Sequence, residues 1–370
     1  MGGGGIDAGG PDAGPPTLCD GRLQLSNVRF VVAGDFAQEG RAGLAFVSTN
    51  DAGMSSLQLA TGVCTANERL VSVPLTASDV VDLVALYRPM GLRADVAVVY
   101  SNSMRPVELR RGANDSDGGL AGAVCGAPMA ALPHQRFAAT QTTVPTGGGD
   151  DLFVATSGGV VSWFEFNGEL RESSAVGTTG TGAIGVASVP EPGNATVVSW
   201  SISPTELYRT FWPGAGSPGG GSSVPLTTGG WSIIRAYNSH LVGVGGAQPF
   251  LVAARIDAGL HLGNGRVVRD SDNAEIPVTS VRGLRIGPLR LSSTDSQPGV
   301  VLADDTGVRA FSTFLPADGG VMRVATTRQV VDAGDVTSVT LGDFNADNSN
   351  DIAVGSSGPP GIRIIWGVGP

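Results

Sequence analysis

Apolar residues recur along this chain in short runs, set off by glycine, proline and polar loops, and the runs come in a fixed order. The segments GLAFVS (from Gly43), DVAVVY (Asp95), DLFVAT (Asp151), ATVVSW (Ala195), PFLVAA (Pro249), GVVLAD (Gly299) and DIAVGS (Asp351) start 52, 56, 44, 54, 50 and 52 residues apart. A period of about fifty residues marks an array of supersecondary units. Each unit opens with an apolar run, such as VRFVVAGDF from Val28 or VTSVTLGDF from Val336. A loop leads to the short run named above. A turn leads to a third run, such as VVSWFEFNG from Val160, and a more polar fourth usually follows, such as RLVSVPL from Arg69.

Four strands per unit describe a propeller blade. The second run is apolar throughout, which suits a strand covered on both faces. Glycine and alanine in the inner runs let neighbouring strands approach closely. The expected fold is therefore all-β: a seven-bladed β-propeller of four-stranded blades, with anchors near 43, 95, 151, 195, 249, 299 and 351. The seventh unit ends after its third run. The segment GRLQLSN, residues 21–27, is expected to supply its outer strand and close the ring, which would remove exposed edges. Ala195 and Pro249 match the motif least well, so six or eight blades stay open. Unrelated β-sandwiches are the rival, and they predict no fixed period.

Composition sharpens this picture. The chain has 370 residues, 41% of them apolar, enough for a sizeable core without disulfides. Its 56 Gly and 23 Pro are spread along the whole length and read as turn punctuation. Net charge is −10, and all 23 basic residues are arginine, scattered without a polybasic patch. Nucleic acid and anionic membrane surfaces are thereby poor partners. No apolar stretch approaches a membrane span. Residues 1–18 (MGGGGIDAGGPDAGPPTL) read as a flexible tether before a single propeller domain, 19–370. A tether of this kind suits an extracytoplasmic protein, secreted or held at the cell envelope as a lipoprotein, with Met1 standing where a lipidated cysteine would be. The body is expected to be a monomer. Cys19, Cys64 and Cys125 allow at most one disulfide and lack zinc-ligand spacing.

One stretch carries candidate chemistry. In GDFNADNSNDIAVG, residues 342–355, oxygen-bearing side chains fall at alternate positions of a nine-residue loop. Calcium takes six to eight oxygen ligands. Asp343, Asn345 and Asp347 would offer side-chain oxygens, Ser349 its carbonyl, and Asp351 would close the site from the next strand. Asn348 falls where such a loop needs positive φ, which Asn tolerates. A solvated turn is the alternative, since Asp and Asn favour turns in any case.

VTLGDFNADNSNDIAVG resembles an FG-GAP or VCBS repeat, the blade of integrin-α-like propellers, departing only at Asn348 in place of Gly. VVAGDFAQEGRAGLAFV in the first unit keeps a remnant: Asp35 aligns with Asp343, while Ala37, Glu39 and Gly43 replace the other ligands. The resemblance is strong over residues 336–367 and weak elsewhere. It implies a propeller, often extracellular, with calcium as a structural staple.

Catalytic motifs are sparse. His134, His240 and His261 stand apart; His240 with Tyr237 could serve as acid and base in a polysaccharide lyase, but no supporting groups are evident. The segment GSPGGGSS from Gly216 lacks the lysine of a phosphate loop and reads as a flexible loop. Trp163, Trp200, Trp212 and Trp366 read as packing residues. Trp231, after two glycines, reads as more exposed and free to stack on a sugar. NDSDGG from Asn114 and DSDNAE from Asp270 are weaker acidic clusters, and ADDTG from Ala303 reads as a β-turn. The leading expectation is a non-enzymatic propeller that binds a protein or a glycan. A lectin-like carbohydrate binder, a polysaccharide lyase and a structural envelope protein are the alternatives.

Overall fold

The computed structural model describes residues 18, 25–75, 77–87, 94–101, 107–111, 121–125, 135–143, 150–166, 169–177, 183–190, 196–203, 206–213, 219–226, 230–237, 240–246, 248–257, 260–293, 298–314 and 323–367. Among these there is no helix. The strands form seven small sheets in a propeller-like arrangement, and within each sheet consecutive strands pair antiparallel, save one two-residue strand in the sixth. The first sheet comprises Val28–Gly34, Gly43–Thr49, Ser55–Thr61 and Arg69–Pro74. The other six begin at Val80–Tyr87, Arg136–Thr143, Gly185–Pro190, Trp231–Tyr237, Gly283–Gly287 and Val336–Gly342.

Every anchor segment named from the sequence is the second strand of a sheet, or overlaps one, save Pro249. PFLVAA is instead the start of a third strand, Phe250–Asp257, because His240–Gly245 precedes it as a wholly buried second strand. Second strands are the most deeply covered, as their apolar composition requires: all seven residues of Ala94–Tyr100 and all six of Gly299–Asp304 are buried. Arg69–Pro74, the fourth strand of the first sheet, has only exposed and half-buried residues.

The cores lie between sheets. Seven apolar clusters are present among the described residues, and each joins two sheets neighbouring in sequence or, in one case, the first and the last. That last cluster gathers Val28, Leu44 and Phe46 of the first sheet with Phe344, Ala353 and Ile362 of the seventh. Val31 and Ala33 donate backbone N–H bonds to Ser338 Oγ and Thr340 Oγ1, both at 3.2 Å, and the Thr337 hydroxyl donates to the Val28 carbonyl at 2.6 Å.

The repeated Gly-Asp-Phe has a packing reason. A Cβ on Gly34 would lie 3.0 Å from Ala85 Cβ and 3.1 Å from Ala94 Cβ of the second sheet. A Cβ on Gly342 would lie 2.6 Å from Ala33 Cβ and 2.9 Å from Ala42 Cβ of the first. The two seams also share a hydrogen bond: Ala94 N to Asp35 O and Ala42 N to Asp343 O, both 2.8 Å. Phe36 and Phe344 fold back over their own glycines and are buried.

Several features depart from the sequence expectation. The sixth sheet gains a fifth strand, Val268–Arg269, parallel to Arg323–Val324. The second half of GSPGGGSS is not a loop: Gly220–Pro225 is a strand paired with Glu206–Phe211. The seventh sheet has three strands among the described residues. Residues 21–24 of the expected closing strand lie outside the described residues. Its end runs beside the last sheet, with Leu25 N bonded to Pro360 O at 3.1 Å and Asn27 N to Ser357 O at 2.8 Å. Leu18 is buried, and Glu68 ties it down by accepting Leu18 N at 2.7 Å and Cys64 N at 2.8 Å. Cys64 is disulfide-bonded; Cys19 and the side chain of Cys125 lie outside the described residues.

Five first strands carry a β-bulge near their start, at Phe30, Val81, Phe137, Ser232 and Thr337. A bulge turns a side chain out of the ladder's alternation.

Candidate functional site

The acidic loop joins the first two strands of the seventh sheet. Its backbone turns twice through positive φ, at Ala346 (60°) and Asn348 (64°), the latter where the sequence placed it. Six carboxylate oxygens shape it, and all six accept N–H bonds. Asp343 Oδ1 and Oδ2 accept the amides of Asp347 (3.1 Å) and Asn348 (2.8 Å). Asp347 accepts Ser349 N at 2.8 Å and Asn345 Nδ2 at 3.0 Å. Asp351, wholly buried, accepts Phe344 N at 3.0 Å and Gly367 N at 2.7 Å. Burial, followed by the charges of Asp347 and Asp343, pushes the Asp351 carboxyl up to about 6.

Asp35 makes the same turn in the first sheet, accepting Glu39 N and Gly40 N at 2.9 Å, with Gln38 and Gly40 at positive φ. That loop has Ala37 and Gly43 where the other has Asn345 and Asp351. The turn thus forms without counterparts of Asn345 and Asp351. Gly43 is itself constrained, since a Cβ there would lie 2.6 Å from the Ala60 carbonyl oxygen.

Among the described residues no group of three or more His, Cys, Asp or Glu side chains is disposed to hold a metal ion. The donor chemistry of residues 343–351 nevertheless suits calcium: it is all oxygen, each carboxylate oxygen keeps a second lone pair, and the buried Ser349 hydroxyl has no hydrogen-bond partner.

Other candidates sort clearly. Trp163, Trp200 and Trp212 are buried as expected. Trp231 is buried too, against expectation. Its indole lies over Gly243 and Gly245, where a Cβ would come within 2.7 and 2.6 Å of the ring. Trp366, expected to pack, is 44% exposed. His240 is buried in a strand and pairs across the hairpin with Tyr237. His134, the side chain of His261, Asn238 and the NDSDGG cluster lie outside the described residues. Asp270 and Asp272 are held by Arg323 and Arg269. The ADDTG turn is a hairpin whose buried Asp304 caps Thr306 and pairs with Arg309.

Sequence reasoning missed the interior. A cavity of about 250 Å³ is lined by the first strands, or their lead-ins, of all seven sheets. The bulged residues Phe30, Val81, Phe137 and Ser232 are part of its wall. So are three charged residues, Asp82, Arg235 and Arg285. Asp82 is buried and accepts Leu83 N and Ala139 N, both at 3.0 Å. Arg235 Nη2 stands 3.9 Å from Asp82 Oδ2, an ion pair beyond hydrogen-bond range. Arg235 and Arg285 each donate an Nη1–H to the carbonyl of the preceding residue at 2.9 Å. Burial and then the charge of Arg235 push the Arg285 guanidinium down to about 10, still cationic at neutral pH. The signal in the sequence was a lone charge inside an apolar first-strand run: VVDLVAL, WSIIRAY and GLRIG.

A search of protein-family models and a search of curated proteins each found no match to this chain.

Proposed function

We propose that the chain is a closed, seven-bladed propeller of the FG-GAP/VCBS type, diverged in most blades, that works as a non-enzymatic binding scaffold outside the cytoplasm. The observation that carries this reading is the single cavity lined by all seven first strands. The core shared by the first and seventh sheets supports closure. A ring of sheets is rigid, and its connecting loops are free to vary and to recognise. Calcium, held by Asp343, Asn345, Asp347, Ser349 and Asp351, would staple one loop. It is not needed to form the turn, because Asp35 forms the same turn without that ligand set. The partner is a protein or a glycan, met by a monomeric body on an N-terminal tether.

Two measurements test this. Small-angle scattering of the folded body should give a radius of gyration of about 20 Å, the size of a compact domain of this length; an extended profile would reject the ring. Binding to a glycan array, with calcium and again with EDTA, tests the scaffold reading. Saturable binding of one defined sugar would replace it with a lectin-like one. Silence in both conditions supports a protein partner.

A further inference from the structure

We propose that the central cavity binds a small oxyanion, a phosphate or a carboxylate, between the guanidinium groups of Arg235 and Arg285. The inference gives the scaffold a ligand and so rests on that reading.

Charge counting comes first. Among the described residues, the charged side chains lining the cavity are Asp82, Arg235, Arg282 and Arg285. Arg282 is exposed and engages Asp305 at 3.0 Å, so its charge is met outside. One carboxylate then faces two guanidinium groups, which leaves a positive charge over in a protein whose net charge is −10. Arg235 and Arg285 are each half-buried, so the unmatched charge is partly desolvated, at some cost. An incoming anion supplies the missing charge.

Geometry comes second. Asp82 is fixed by two backbone amides from different sheets and stays 3.9 Å from Arg235. It holds the arginine in place without saturating it. Each guanidinium gives one N–H to a neighbouring carbonyl, which fixes its plane, out of five donors. Two planar forks fixed by their own strands match the oxygens of a carboxylate or phosphate. Size comes third. At about 250 Å³ the cavity is below the usual range for drug-sized ligands, so the bound group is small. The apolar wall contributed by Phe30, Val31, Ile184 and Ile233 lowers the local dielectric and strengthens the contact.

The test is calorimetric titration of the full chain with inorganic phosphate and, separately, with glucuronate, in chloride buffer of matched ionic strength. We expect saturable heat from at least one probe. Arg285→Gln and Arg235→Gln should each weaken it about tenfold or more, the loss of a charge-assisted hydrogen bond. Arg285→Lys, which keeps the charge and loses the fork, should fall between. Response to phosphate alone assigns a free or esterified phosphate; response to glucuronate alone assigns an acidic sugar. No saturable heat from either probe overturns the proposal. So does binding that is unchanged in the arginine variants, which would place the anion on surface arginines. Should a Gln variant fail to fold, Arg285→Lys decides on the same criterion. Compact scattering without anion binding removes the anion site and leaves the scaffold; extended scattering removes the scaffold itself.

Discussion

Replacing Gly342 with Ala probes the seam between the last sheet and the first. The added Cβ would stand 2.6 Å from Ala33 Cβ and 2.9 Å from Ala42 Cβ, against ordinary contacts that begin near 3.4 Å. Both neighbours are Cβ atoms of short side chains and cannot rotate away. The strands must therefore part by several tenths of an ångström, against the bonds from Val31 and Ala33 to Ser338 and Thr340. Overpacking of this kind costs about 1–3 kcal/mol. Unfolding entropy of about 2.1 cal/mol/K per residue makes this roughly 0.8 kcal/mol per degree for the whole chain, so Tm should fall by about 1–4 °C. Gly34→Ala meets the equivalent pair, Ala85 and Ala94, at 3.0 and 3.1 Å and should fall by less. Gly334→Ala is the control: its Cβ would meet nothing closer than 3.9 Å, and loss of chain entropy in the unfolded state should leave it neutral or slightly stabilised. Differential scanning calorimetry on the four proteins resolves these shifts. If Gly342→Ala melts with the control while Gly34→Ala falls, the first and seventh sheets do not press together and the closed ring is refuted.

Three further outcomes are expected. Deleting residues 1–27 should lower Tm by several degrees, since it removes buried Leu18, worth about 2 kcal/mol, and the Leu25 and Asn27 bonds to the last sheet; deleting 1–15 should leave Tm unchanged, and equal effects would count against the N-terminal strap. Calcium at one hundred times its Kd should add about 2.7 kcal/mol of stability, and Asp347→Ala should abolish any calcium-dependent rise in Tm; a rise that survives places the cation elsewhere. Asp151 is pushed up to about 7, first by burial and then by the Asp150 charge. Its folded pKa lies above the unfolded value of 3.8, so its contribution is fully present below about pH 4 and is lost as pH rises to about 7. Full conversion would be about 4 kcal/mol, and partial exposure reduces this to the order of 1–2 kcal/mol. Asp151→Asn should therefore raise Tm at pH 8 and not at pH 4, and an equal effect at both would show that Asp151 does not titrate in this window.

Local pattern carried most of the fold. The second strands are legible because a run such as VAVVY, residues 96–100, is apolar at every position, as a strand covered on both faces requires. The Gly-Asp-Phe turns are legible because the triplet recurs at the end of two first runs, at Gly34 and Gly342. What escaped is what depends on partners far along the chain. Trp231 follows two glycines and looks like a loop residue; the glycines that make room for it, Gly243 and Gly245, sit on the next strand. Val268–Arg269 is too short to show a period, and it pairs with Arg323–Val324 across three intervening strands. Residues 343–351 were legible as a turn or a cation loop. Their hydrogen bonds were not, because oxygens at alternate positions serve amide capture and cation binding equally well. Asp82, Arg235 and Arg285 are separated by 153 and 50 positions, and nothing local relates them.

The bulges that put Phe30, Val81, Phe137 and Ser232 on the cavity wall have an evolutionary consequence. Each of these residues is an insertion in its strand, outside the one-to-one pairing with its neighbour. A substitution there changes the lining of the cavity while the ladder on either side keeps its register. Selection could therefore retune what the interior accepts, four positions at a time, without renegotiating the pairing that holds each sheet together.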